Sequence, residues 1–398
     1  MKINLDRIRK NLLAVGEIGR AETGGIDRLA FSPEYYEAAG VLKNLFLQQG
    51  LETHIDLVGN VIGRREGEMD LPVIMIGSHL DTVKNGGLYD GALGVIAGLE
   101  CVAALNDHQL KTKHPIEIVA FNAEEGSEMG GTFGSRVMMG SQDLLEAGLP
   151  GKLVGYGLSL QAVENSAKDP RSIQAFLELH IEQGGFLHKN NIPVGVVSGI
   201  AGITRYAIVI KGEANHAGTT PMDMRKDALT MAAALLLKIN EISHNIGRPF
   251  VSTVGQLIVK PGAVNVIPGE VHLVLEMRDM DRGKIQLALE EIQEFTGKFS
   301  DFQFKIDQLI DKPTVATDPL ITGIIREACA GLGVDYEVMP SGAGHDAKEM
   351  AAKVPIGMIF VPSRDGKSHC PEEFTEWSDI EIGVQVLFDT IIQLDKVK

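Results

Sequence analysis

Residues 79–91 read HLDTVKNGGLYDG. They set His79, Asp81 and Asp90 in a tight glycine-rich loop. An apolar run, LPVIMIG, stands before the loop, and ALGVIAGLECVAAL, apolar at helical spacing, stands after it. A chain that leaves a buried strand, places a histidine and two carboxylates, and enters a helix is presenting ligands at a strand end. In open α/β sheets that is where ligands bind. In extended chain Asp81 shares a face with His79, so its carboxylate is expected to accept from the ring nitrogen that does not bind metal.

Three more strand ends repeat the pattern. IEIVAFNAEEG ends on Glu124 and Glu125, FLELHIEQG on His180, Glu182 and Gln183, and IGMIFVPSRDGKSHCPEE carries His369 in its loop. Alone, each of these is an ordinary loop or core residue. Together they form a two-metal constellation, with Asp90 bridging, His79 and His180 each on one metal, and Glu125 and His369 completing the shells. Such a histidine–carboxylate site suits Zn²⁺ or Mn²⁺, with Co²⁺ or Ni²⁺ also compatible. The histidines at 54, 108, 114, 188, 244 and 272 lack this context, and Cys370 reads as a small packing residue.

The elements that position these residues follow from the patterning. The first half alternates strands and helices, as an α/β domain with a mostly parallel central sheet does. Ser32 and Pro33 start a helix, and 51–67 reads as a hairpin. From residue 203 the order becomes strand 203–211, helix 223–243, strands 251–259 and 270–278, helix 282–297 and strand 302–310. That is a βαββαβ, ferredoxin-like unit. KPTVATDP is a connector, after which the first style returns. The expected organisation is a discontinuous catalytic domain, 1–204 with 315–398, interrupted by an inserted dimerisation domain, 205–314.

Bulk composition bounds the function. The chain has 398 residues, with Lys+Arg 37 against Asp+Glu 53, a net charge of −16. That argues against nucleic acid and anionic membranes as partners. Three scattered cysteines make neither a disulfide framework nor a zinc finger, and no secretory or membrane-spanning run is present, so the expectation is a cytoplasmic protein. A rival class appears at GAGHDA, 342–347. It fits G-x-G-x-x-A, with Asp365 about twenty residues on, as in a dinucleotide site. Only some fifty residues follow, too few for such a domain.

GSHLDTVKNGGLYDG, AEEG, ELHIEQG, NHAGTTPM, NVIPGEV and GAGHDA resemble the dinuclear amidohydrolases of the M20 metallopeptidase superfamily, in the N-carbamoyl-L-amino acid hydrolase and allantoate amidohydrolase branch. HIEQG discriminates, because peptidase relatives usually carry an acid where this branch has the histidine. The resemblance implies two divalent metals per subunit, held by His79, Asp90, Glu125, His180 and His369. It makes Glu124 the general base, Asp81 the partner of His79, and His216 an oxyanion stabiliser that reaches a partner's site in a homodimer. Gln183, His216, Asn265 and Arg278 would bind substrate, with Arg278 on its carboxylate and Gly342 and Gly344 offering backbone amides. The implied reaction is hydrolysis of an N-carbamoyl-L-amino acid, with allantoate as the alternative and an aminoacylase or dipeptidase third. One departure stands out: carbamoylases usually continue AEEG with ARF, and this chain continues with SEMGGTFGSR.

Overall fold

The structure is a computed structural model that describes residues 1–397. It contains two compact units, Met1–Ser198 with Ala316 onward, and Gly199–Val315. In chain order the strands are β1 (Glu52–Ile55), β2 (Val61–Arg65), β3 (Val73–His79), β4 (Ile116–Phe121), β5 (Ile173–Ile181), β6 (Val194–Ile200), β7 (Gly202–Lys211), β8 (Val251–Lys260), β9 (Glu270–Asp279), β10 (Gln303–Lys312), β11 (Val315–Ala316), β12 (Tyr336–Ser341) and β13 (Ile356–Val361).

The larger sheet runs β1-β2-β4-β3-β5-β13-β6-β11, with β12 paired to β6. Its middle four strands, β4, β3, β5 and β13, are parallel neighbours. They are buried along nearly their whole length and mostly apolar, as central parallel strands are, with Glu117, Glu178 and the site histidines among the polar exceptions. The flanks differ from a mostly parallel sheet. β1 pairs β2, β2 pairs β4 and β13 pairs β6, all antiparallel, so the sheet is mixed. A hairpin feeds one flank, and β6 turns back after the short helix Phe186–Asn190 on the other.

The helix Ala92–Asp107 is buried from Ala92 through Leu105. Two glycines let it lie close to the strands. A Cβ on Gly94 would overlap the Leu179 carbonyl, and one on Gly98 would stand 3.0 Å from Ile76. Ile74, Ile76, Val95, Leu99, Leu177, Ile359, Val361 and Leu387 share this core. As its sequence suggests, the helix Pro33–Gln48 is capped by Ser32, whose side chain accepts from Tyr35 N at 3.1 Å.

The second unit orders its strands β10-β7-β9-β8, all antiparallel. The helices Ala228–Ile246 and Arg282–Gly297 pack on the sheet through Ile208, Leu235, Ile239, Leu273, Leu275 and Ile292. The first of these helices starts five residues later than its pattern suggests. Asp227 accepts from the N–H groups of Leu229 and Thr230 and caps it there. No helix among the described residues is long and apolar enough to cross a membrane.

Candidate metal centre

Parallel pairing puts the C-terminal ends of β3, β4, β5 and β13 side by side, and the ligand candidates of the first unit follow from there. His79 ends β3, and His180 lies one residue from the end of β5. Glu124 and Glu125 follow β4, and His369 follows β13. Three of these turns contain a non-glycine residue in the left-handed region: Ala123 at φ 61°, Gln183 at 58° and His369 at 58°. Strain of this kind persists where surrounding structure over-determines it.

Asp90 is the centre. Its Oδ1 is 3.1 Å from His180 Nε2 and 3.4 Å from His79 Nε2. Its Oδ2 is 3.3 Å from His369 Nε2, which is itself 3.3 Å from Glu125 Oε1. Two ligand groups share Asp90, His79–Asp90–His180 and Asp90–Glu125–His369, and a third, Glu178–His180–His345, adjoins the first; in each the donor atoms lie within 4.8 Å of one another. This corrects the expected division. His79 and His180 face one oxygen of Asp90 together and are not split between two sites, because β3 and β5 are adjacent strands.

The donor chemistry fits cations. His79 Nδ1 lies 2.9 Å from the Asp81 carbonyl, and His180 Nδ1 lies 2.9 Å from the Ile181 carbonyl. A carbonyl only accepts, so each neutral ring carries its hydrogen on Nδ1 and aims an Nε2 lone pair at Asp90. Buried Asp90 Oδ1 has no hydrogen-bond partner. In that neutral form both Nε2 atoms and Asp90 Oδ1 are free to bind one cation. Burial lowers the His79 and His180 pKa values, yet Asp90 and the surrounding acids outweigh it and hold both raised. A bound cation satisfies the same negative field.

Asp81 departs from its expected contact. Its carboxylate is 4.0 Å from His79 Nδ1, and it is the backbone carbonyl that meets the ring. Oδ1 accepts instead from Glu124 N and Oδ2 from Glu125 N, each at 3.1 Å. Two adjacent N–H groups match a carboxylate's two oxygens, so Asp81 sets the turn that aims both glutamates. Glu124 Oε2 comes 3.9 Å from His79 Nε2. Burial pushes its carboxyl well above the usual range; His79 opposes this, while Asp346, Glu125 and Asp81 add to it.

Gln183 Nε2 donates to Asp90 Oδ2 at 2.9 Å, so it braces the centre. Gly342 and Gly344 lie open, with nothing near an added Cβ. His216, Asn265 and Arg278 belong to the second unit. There His216 bridges Val266, and Ala217 N donates to the Asn265 carbonyl at 3.0 Å, so the two motifs meet. Arg278 is ion-paired with Glu276 at 2.6 Å, and Glu276 also bonds Arg205.

Sequence reasoning missed several buried groups. His345, inside GAGHDA, packs its ring 4.6 Å from that of His180 and bonds Ser341 Oγ at 2.7 Å. Glu178 accepts from Ser78 Oγ at 2.7 Å and from Ala347 N at 2.9 Å. Asp346 is fully buried beside them. GAGHDA therefore leads into a five-residue helix, Asp346–Met350, packed behind the metal centre and not into a dinucleotide turn. The sequence held no signal for this: HDAKEM reads as a charged helix start, and only the fold buries His345 and Asp346.

The family model of peptidase family M20/M25/M40 matches residues 75–393. This chain belongs to that family. It is 39% identical to an N-carbamoyl-L-amino acid amidohydrolase of Geobacillus stearothermophilus, over 98% of each chain. It is 35% identical to an allantoate amidohydrolase of Escherichia coli (strain K12), over 97% of each. Among solved structures it resembles an amidase of the hydantoinase/carbamoylase family from Burkholderia multivorans, with a TM-score of 0.90 and 33% identity over 99% of this chain and 98% of that one. The M20 chain here carries the fold and the clustered histidines and carboxylates together.

Proposed function

We propose that this M20 enzyme hydrolyses the carbamoyl C–N bond of N-carbamoyl-L-amino acids, giving the L-amino acid, CO₂ and ammonia. The observation that carries the reading is the convergence of His79, His180 and Asp90, with Glu124 beside it. Two bound divalent ions, Zn²⁺ or Mn²⁺ by donor type, would polarise the ureido carbonyl and acidify water. His79, Asp90 and His180 would hold one, and Asp90, Glu125 and His369 the other.

The chain's own groups supply the rest. Glu124 takes a proton from the attacking water and returns it to the leaving nitrogen. Asp81 fixes its approach through the backbone. Gln183, Asn265, Gly342 and Gly344 orient the substrate, and His216 stabilises the oxyanion. Arg278, held along one edge by Glu276, receives the substrate carboxylate. Allantoate also places a carboxylate beside a ureido group, and the 35% identity to an allantoate amidohydrolase supports it as the second reading.

The second unit would join two copies. Its edge strand β8 exposes Val251, Leu257 and Ile258, a strand edge that a second copy covers. The test of function is ammonia release from a panel of carbamoyl amino acids and allantoate. The assay is run before chelation, after it, and after return of Zn²⁺ or Mn²⁺. Chelation should abolish release and metal should restore it. Full activity in metal-free enzyme overturns the reading.

A further inference from the structure

One buried carboxylate outside the ligand set ties two ligand loops together. Glu373 is 5% exposed. Its Oε1 accepts from Tyr89 N at 2.8 Å and from Asp90 N at 3.0 Å. Its Oε2 is 3.1 Å from Ser368 Oγ, and that hydroxyl reaches Asp90 Oδ2 at 2.8 Å. The group therefore grips the backbone of the Asp90 loop and, through Ser368, the residue next to His369.

Other features close the same joint. A Cβ on Gly87 would overlap the Glu373 carboxylate, although Gly87 does not adopt a left-handed backbone. This glycine is needed for space and not for its conformational freedom. The Tyr89 ring packs edge-on against Phe374 at 5.8 Å and beside Trp377 at 5.9 Å. Arg364 N donates to the Phe374 carbonyl at 2.8 Å and shuts the base of the loop. His369 itself lies outside any helix or strand, and its side chain is 46% exposed.

We infer that Glu373 is a positioning residue that holds His369 in register with Asp90, and so sets metal affinity in the Asp90–Glu125–His369 half of the centre. The inference rests on the metal reading above. Geometry makes a sharp distinction between substitutions. In Glu373→Gln the carbonyl still accepts both N–H groups, the amide donates to Ser368 Oγ, and the serine proton stays on Asp90. In Glu373→Ala the two loops part. Gly87→Ala reaches the same end from the opposite side, by displacing the carboxylate.

The experiment is equilibrium dialysis of the full chain against buffered free Zn²⁺. Bound metal is measured by elemental analysis, and thermal unfolding of the metal-free proteins is recorded alongside. Wild type should bind about two ions per subunit. Glu373→Ala and Gly87→Ala should bind about one at the same free zinc, with the second site weakened about 10–100-fold. Glu373→Gln should bind as wild type does. Two ions held by Glu373→Ala at wild-type affinity, or equal losses in the Gln and Ala variants, overturn the inference. If Glu373→Ala fails to fold, Glu373→Gln against Gly87→Ala decides by the same criterion. A wild type that binds no metal fails the function reading instead.

Discussion

Asp81 holds the N–H groups of both Glu124 and Glu125, and the two side chains turn to different partners. Glu125 meets His369, and Glu124 meets the His79 side. Glu124→Gln should retain bound metal and lose about 10²–10⁴ in kcat, as loss of a general base does. Glu125→Gln should lose metal first. Elemental analysis beside steady-state rates separates the two, and the reverse pattern would invert the assignment. Arg28 is a second residue-scale case. It is fully buried and donates to the Leu80 carbonyl at 2.7 Å, Val15 at 3.2 Å and Ile18 at 3.3 Å, behind the His79 loop. Burial pulls its guanidinium down to about 10, and the charge of Asp81 resists. Val15 keeps a backbone donor in Ile18 N, but Arg28→Met leaves the buried Leu80 carbonyl without the guanidinium, so a loss of about 1–3 kcal/mol is expected in urea unfolding.

At the scale of elements, the helix Ala92–Asp107 seats the Asp90 loop against β3 and β5, and Gly94 permits the contact. Two substitutions of the same type should then have opposite signs. Alanine is favoured over glycine within a helix by about 1 kcal/mol. At Gly323, in the helix Pro319–Leu332, an added Cβ meets nothing, so Gly323→Ala should stabilise by up to about that amount. At Gly94 the Cβ meets the Leu179 backbone carbonyl, which cannot rotate away. Overpacking of about 1–3 kcal/mol should exceed the helical gain, and Gly94→Ala should lower the denaturation midpoint. A stabilised Gly94→Ala would show that the helix can shift on the sheet.

For the whole molecule, the expectation concerns a second copy. His216 is exposed on the smaller unit, while Glu124 lies in the larger. If His216 serves a partner's site, mixing His216→Ala with Glu124→Gln under subunit exchange yields one site with both lesions and one with neither. Activity should return toward about a quarter of wild type for random pairing in a two-fold dimer. Absence of recovery, with exchange proven by labelled subunits, would place His216 in its own subunit's chemistry or outside it.

The sequence by itself determined the parts whose signal is local. Apolar runs ending in His79, Glu125 and His180 were legible because a buried strand and the residues at its end are contiguous in the chain. Ser32 was legible because a helix cap lies within a turn of what it caps. The order of elements in the second unit followed from periodicity in the same way. Only the tertiary structure decided which strand lies beside which. That choice put His79 and His180 on one oxygen of Asp90, took the Asp81 carboxylate from His79 to the two glutamates, and made the flanks of the large sheet antiparallel. Arg28, Glu178, His345 and Glu373 were illegible as site residues for the same reason. Each acts across the fold, Glu373 on a backbone 283 residues away from it in the chain. No spacing rule reaches that far, because such pairs form when the core closes and not when the chain turns.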